Sequence, residues 1–67
     1  MITIDIQVCA ESLSNPFLAV AFDGREALEM VAGKTATYAA DSVFKMFPEA
    51  ELTEAALGYL HEELLSL

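Results

Sequence analysis

The 67-residue sequence is short of three kinds of side chain: it has one cysteine, one histidine and three basic residues. Each shortage excludes something. A lone Cys9 cannot form an internal disulfide, and it fits a reducing compartment. A lone His61, with no cysteine pair and no H-E-x-x-H pattern, leaves no recognisable set of metal ligands. Positive charge is scarcest relative to need. Arg25, Lys34 and Lys45 stand against eleven carboxylates, for a formal net charge of −8. Such a field repels nucleic-acid phosphates and anionic membranes and attracts basic surfaces. Long apolar runs are missing as well. The longest, Phe17 to Phe22, has six residues, where a bilayer span needs about 20. The N-terminus lacks the basic start and apolar run of a signal peptide. The sequence therefore reads as a complete cytoplasmic chain that neither enters a membrane nor binds nucleic acid directly.

Apolar residues, by contrast, are abundant, at 55% of the chain. A domain of this size buries only about 60% of the surface that its unfolded chain exposes, so it is marginal without a disulfide, a metal or a partner. Two readings of the apolar excess stand: a compact, alanine-rich core, or a surface that a partner or a second copy covers.

Period-two alternation opens the chain. Ile2, Ile4, Ile6, Val8 and Ala10 alternate with Thr3, Asp5, Gln7, Cys9 and Glu11, which predicts a half-buried strand with Cys9 on its wet side. Ser12 to Pro16 has turn chemistry. Phe17 to Phe22 predicts a second strand, apolar on both faces and so central or doubly covered. Residues 23 to 33 admit two structures. Asp23-Gly24 signals a hairpin returning through a third strand, Glu26 to Ala32. The capping-box spacing of Asp23 and Glu26, with good helix formers up to Gly33, signals a short helix instead. The hairpin is preferred, because a two-stranded sheet is marginal and a third strand gives the helices a platform.

Thr35 or Thr37 can cap the next helix, whose core stripe is Ala40, Val43, Phe44 and Phe47, with Asp41 and Lys45 positioned to pair outside. Pro48 ends that helix or begins the next. A last helix starts between Glu49 and Thr53. Leu57, Leu60, Leu64 and Leu67 form its expected seam, and Glu51, Glu54, Gly58, His61 and Glu62 its outer face. Leu65 lies outward with nothing obvious to bury it. The expected fold is one α+β domain over residues 1–67, a small antiparallel sheet of two or three strands packed by two helices, in the order β-β-β-α-α.

Chemical motifs are wanting. Gly33-Lys34-Thr35 imitates the end of a phosphate-binding loop, but the loop's first glycine would fall at position 28, which is Leu28. His61 has the chemistry of a general base, or of a metal ligand with Glu62 or Glu54, but a lone imidazole on the polar face of a terminal helix is usually a solvated residue. Nothing in the local sequence of Cys9, flanked by Val8 and Ala10 with Glu11 nearby, activates its thiol toward His61. The reading is a non-enzyme with no cofactor, no metal and no catalytic residue.

Three resemblances follow. The stretch Phe17-Leu-Ala-Val-Ala-Phe-Asp-Gly24, followed by Gly33-Lys-Thr-Ala-Thr37 and Ala39-Ala40, looks like part of a double-stranded-RNA-binding domain. That family holds phosphates with a lysine cluster at the helix start, where this chain has only Lys34. The same stretch looks like small antitoxin domains of the HicB type. In size, acidity and lack of catalytic residues, the chain is similar to phage-encoded inhibitors of bacterial defence, including anti-CRISPR proteins. That last likeness implies a DNA mimic whose carboxylates occupy the basic groove of a nucleic-acid-binding protein. Glu49, Glu51, Glu54, Glu62 and Glu63 are the candidate partner-binding residues, with Asp41 and Glu29 as additions. The alternative is a homodimeric or antitoxin-like interaction module that binds through apolar surface.

Overall fold

The computed structural model describes residues 1–9, 11 and 14–66. Ala10 of the expected first strand, Ser12 of the expected turn and Leu67 of the expected helix seam lie outside the described residues. The elements are β1 (Ile2–Val8), β2 (Phe17–Asp23), β3 (Glu26–Gly33), α1 (Ala36–Phe44), β4 (Glu51–Leu52) and α2 (Glu54–Leu65).

The sheet has four strands in the order β3-β2-β1-β4. β1 and β2 pair antiparallel, with Ile4 opposite Ala21 and Ile6 opposite Ala19. β2 and β3 are the expected hairpin, closed by Asp23 opposite Glu26. Gly24 has φ +63°, while no non-glycine residue among those described has positive φ. A glycine at the first of two loop positions is what a type II′ hairpin turn requires. A bulge interrupts the register between Ala21 and Phe22, so Ala21 faces Glu29 while Phe22 faces Ala27.

Two expectations about the sheet are corrected. The order is β-β-β-α-β-α, and the sheet is mixed rather than antiparallel, because β4 pairs parallel with β1. Two residues carry no periodicity to read, and their partner lies some fifty positions earlier in the chain. The Thr53 N–H extends this pairing to the Ile4 carbonyl at 3.0 Å.

Both helices cover one face of the sheet. Ile4, Ile6, Ala19 and Ala21 form a buried cluster with Ala36, Ala39, Ala40 and Val43 of α1 and Ala56 of α2. Small residues dominate, so helix and sheet approach closely. Gly33 marks the tightest point. A Cβ built there would lie 2.6 Å from Tyr38 Cδ1 and 3.1 Å from the Ala39 backbone nitrogen.

Thr35 caps α1, its Oγ1 accepting from the Tyr38 N–H at 3.0 Å. Ala40 and Val43 are buried as expected, and Phe44 and Phe47 pack at the cluster's margin. Asp41 and Lys45 form no ion pair, in contrast to their expected i, i+4 pairing. Among the described residues the one ion pair joins the Met1 amino group to Asp23 at 3.7 Å, with both partners largely exposed.

The seam of α2 is also corrected. Leu57 and Leu64 are 52% and 69% exposed. Leu60 is half-buried against the core as expected, with buried Ala56 and half-buried Tyr59 and Glu63 in place of the other two. The helix is rotated so that the small Ala56 meets the sheet and Glu63 meets α1.

Candidate partner-binding surface

Glu63 explains that rotation. α1 has no acidic residue in its first turn, and the first N–H groups of any helix lack intrahelical partners. Glu63 supplies the missing acceptor from the other helix. Its Oε2 accepts from the Ala36 N–H. Its Oε1 accepts from the Thr37 N–H at 2.9 Å and the Thr37 hydroxyl at 2.8 Å. Burial pushes the carboxyl's pKa up, but the Thr37 and Ala36 N–H groups and the Thr37 hydroxyl outweigh it and hold the group below its ordinary value. Glu63 is therefore engaged inside the chain. No local sequence pattern announces this contact, because its partners are 26 and 27 residues away.

Glu29 Oε1 accepts from the Met30 N–H at 3.2 Å, whereas Glu49, Glu51, Glu54 and Glu62 show no such ties. Glu49 lies in the turn before β4, Glu51 on β4, Glu54 in the first turn of α2 and Glu62 near its end, and all are exposed. Glu54 and Glu62 lie about 12 Å apart along the helix axis and about 80° apart around it, so they share a flank. These four belong to one stretch of chain, residues 49–62, which runs through β4 into α2. No Lys or Arg occurs after Lys45, so neither element carries a cation to offset them. Asp41 is exposed on α1, and Glu29 is exposed on β3 at the opposite edge of the sheet. The structure thus exposes four of the seven candidates on this stretch, turns Glu63 inward and leaves Asp41 and Glu29 on other elements.

Beside this acidic stretch lies a depression of about 490 Å³, lined by Val8, Phe17, Tyr59, Glu62 and Glu63 among others. Phe17 and Tyr59 meet edge to face there, with ring centroids 6.1 Å apart. The mouth therefore combines an apolar wall with the free Glu62 carboxylate. Sequence reasoning missed Tyr59 and Phe17 as neighbours, since nothing links strand position 17 to helix position 59 except the fold.

A second surface is apolar. Leu18, Val20 and Phe22 of β2 point away from both helices, and Ala27, Met30 and Ala32 of β3 join them through the strand register. None of the described elements covers this face. Val20 is only 3% exposed there because its neighbours crowd it, whereas Met30 is 59% exposed. β2 is central, as its two apolar faces predict, but only one of those faces is covered.

Neither surface has the makings of a metal or nucleotide site. Among the described residues no three His, Cys, Asp or Glu side chains converge to hold a metal ion. Gly33 and Thr35 of the phosphate-loop imitation serve as a close-packing glycine and a helix cap. No helix is long and apolar enough to cross a membrane. No protein-family model, curated protein or solved structure matches the chain.

Proposed function

We propose that this chain is a non-catalytic, acidic binding module that docks its β4–α2 side on the basic, nucleic-acid-binding groove of another protein. A component of a bacterial defence complex is the target class, in the manner of phage-encoded inhibitors. The observation that carries the reading is a segment of exposed carboxylates that holds no Lys or Arg. Glu49 in the turn before β4, Glu51 on β4, and Glu54 and Glu62 on α2 are exposed, with no Lys or Arg after Lys45. An acidic surface without internal ion pairs is attracted as a whole to a basic groove, and this speeds encounter. The depression next to Glu62 suits one lysine or arginine of the target. Phe17, Tyr59 and Val8 would cover the aliphatic stem, and Glu62 would meet the cation.

The test is a binding measurement on captured target. Reversing Glu51, Glu54 and Glu62 to Lys should abolish binding while circular dichroism shows an intact fold. Binding that survives the triple reversal refutes the reading.

A second reading is supported by the uncovered face of β2 and β3. There the chain works as an interaction module through apolar contact, as a homodimer or an antitoxin-like subunit. Charge reversal on β4 and α2 would then do little, and Phe22→Glu would disrupt assembly.

A further inference from the structure

Gly58 lies inside α2, four residues after its start, and is exposed. A glycine in a helix interior costs stability relative to alanine, because it loses more backbone freedom on folding. Two internal reasons would justify that cost: a positive φ, or a neighbour that fills the space of the missing Cβ. Neither applies. Gly24 is the one glycine with positive φ, and a Cβ built at Gly58 would meet nothing within 4 Å. Gly33 is the contrast, since its Cβ would strike Tyr38. Among the described residues, nothing inside the chain calls for a glycine at 58.

Its surroundings point outward. Glu54 and Glu62 stand one turn before and one turn after Gly58, each about 6 Å away along the helix axis. Both are exposed, and no Lys or Arg follows Lys45. Gly58 lines a shallow hollow of about 290 Å³ together with Ala55, Tyr59 and Glu62. Tyr59 and Glu62 also line the larger depression beside Val8 and Phe17. The two hollows therefore adjoin at Tyr59 and Glu62 and form one path across α2. It is floored by small residues at one end, walled by an aromatic ring, and carries a carboxylate at its middle. A side chain at 58 would stand in its entrance.

We propose that Gly58 is the point where the partner's main chain crosses α2. A basic segment of the target lies against the Gly58 backbone between Glu54 and Glu62, and one arginine of that segment runs past Tyr59 into the larger depression. Charge complementarity selects the occupant, since carboxylates flank the crossing and no Lys or Arg of α2 competes for them. Arginine fits better than lysine, because a guanidinium can stack on the Tyr59 ring while its N–H groups donate to Glu62. The missing Cβ lets two main chains approach closely. The inference rests on the acidic-docking reading and gives it a point of contact.

The test separates stability from binding at one residue. Gly58→Ala should raise the melting temperature by roughly 4–8 °C, which excludes damage to the fold as a cause of weaker binding. The probe is an end-blocked hexa-arginine peptide, titrated into isotope-labelled chain and followed by NMR at low salt. Amide shifts should centre on Ala55, Gly58, Tyr59 and Glu62, and the citrulline counterpart of the peptide, which lacks the charge, should produce none. Gly58→Ala should raise the dissociation constant about fivefold, and Gly58→Leu should raise it further. Unchanged affinity in both variants overturns the proposal, as do shifts that avoid α2. Binding that is lost on reversing Glu51, Glu54 and Glu62 to Lys but is indifferent to Gly58→Ala removes the crossing point and leaves acidic docking standing. Binding that survives the triple reversal removes both.

Discussion

Glu63 shows how one side chain joins two helices. It satisfies N–H groups at the start of α1 that have no partner in their own helix, and it brings negative charge to the positive end of that helix dipole. Glu63→Gln keeps the size of the side chain but removes its charge. It should cost about 1 kcal/mol, or roughly 4–8 °C of melting temperature in a domain this small. The pH dependence has a definite sign. A carboxyl held below its ordinary value contributes fully above that value, about 4.3 for glutamate, and the contribution fades as pH falls through the folded value. Melting curves of the two proteins should therefore differ at neutral pH and converge under acid. A difference that persists once the carboxyl is protonated would show that charge is not the cause. Gly33 works by absence. A methyl group there meets Tyr38 and the Ala39 backbone, so Gly33→Ala should destabilise by about 1–3 kcal/mol through overpacking, measured by urea denaturation. Tyr38→Ala in the same chain should recover part of that loss, because the nearest clash is with its ring.

Thr53 plays the same part for β4 and α2. Its Oγ1 accepts from the Ala56 N–H at 3.1 Å as the N-cap of α2, and its hydroxyl donates to Asp5 Oδ1 at 2.7 Å. The cap is thereby bonded to β1, the strand that β4 joins. Thr53→Val removes both hydrogen bonds at nearly constant volume. It should cost about 1–2 kcal/mol, with amide exchange rising first in α2. Hydrogen exchange uniform across both helices would contradict this localisation. At this scale the long elements were legible in the chain. Alternation located β1, Asp23-Gly24 located the hairpin, and the two candidate caps Thr35 and Thr37 bracketed the start of α1, which the structure places at Thr35. β4 was not legible, because a two-residue strand exists only through its partner. The seam of α2 was read correctly at Leu60 and misread at Leu57 and Leu64, because leucines outrank Ala56, Tyr59 and Glu63 on hydropathy scales, while the close approach to the sheet and the tie to α1 favour the latter three.

Across the whole molecule, no Lys or Arg lies on the elements that carry Glu51, Glu54 and Glu62, although α2 also exposes Leu57, Leu64 and Leu65. β4 and α2 carry exposed carboxylates without a cation, and the far strand β3 is flanked by Arg25 and Lys34. If the acidic side docks on a basic groove, association should slow steeply between low and physiological salt, since screening shortens the reach of the field to about 8 Å. Stopped-flow measurement of the association rate at several salt concentrations checks this. A rate that does not change with salt would assign the binding to apolar contact instead.

Composition and local pattern by themselves determined much of this protein. The shortage of cations made it acidic, period-two alternation made β1, and the glycine of the turn made the hairpin. Each depends on residues close together in the chain or on counts alone. Tertiary structure alone decided that β4 completes a mixed sheet, that Glu63 turns inward, and that Phe17 and Tyr59 share a wall beside Glu62. It also left one face of an apolar strand uncovered. These outcomes depend on which distant segments come within a few ångströms of each other. Such contacts arise from burying an alanine-rich core beneath two helices, and no short window of sequence encodes them.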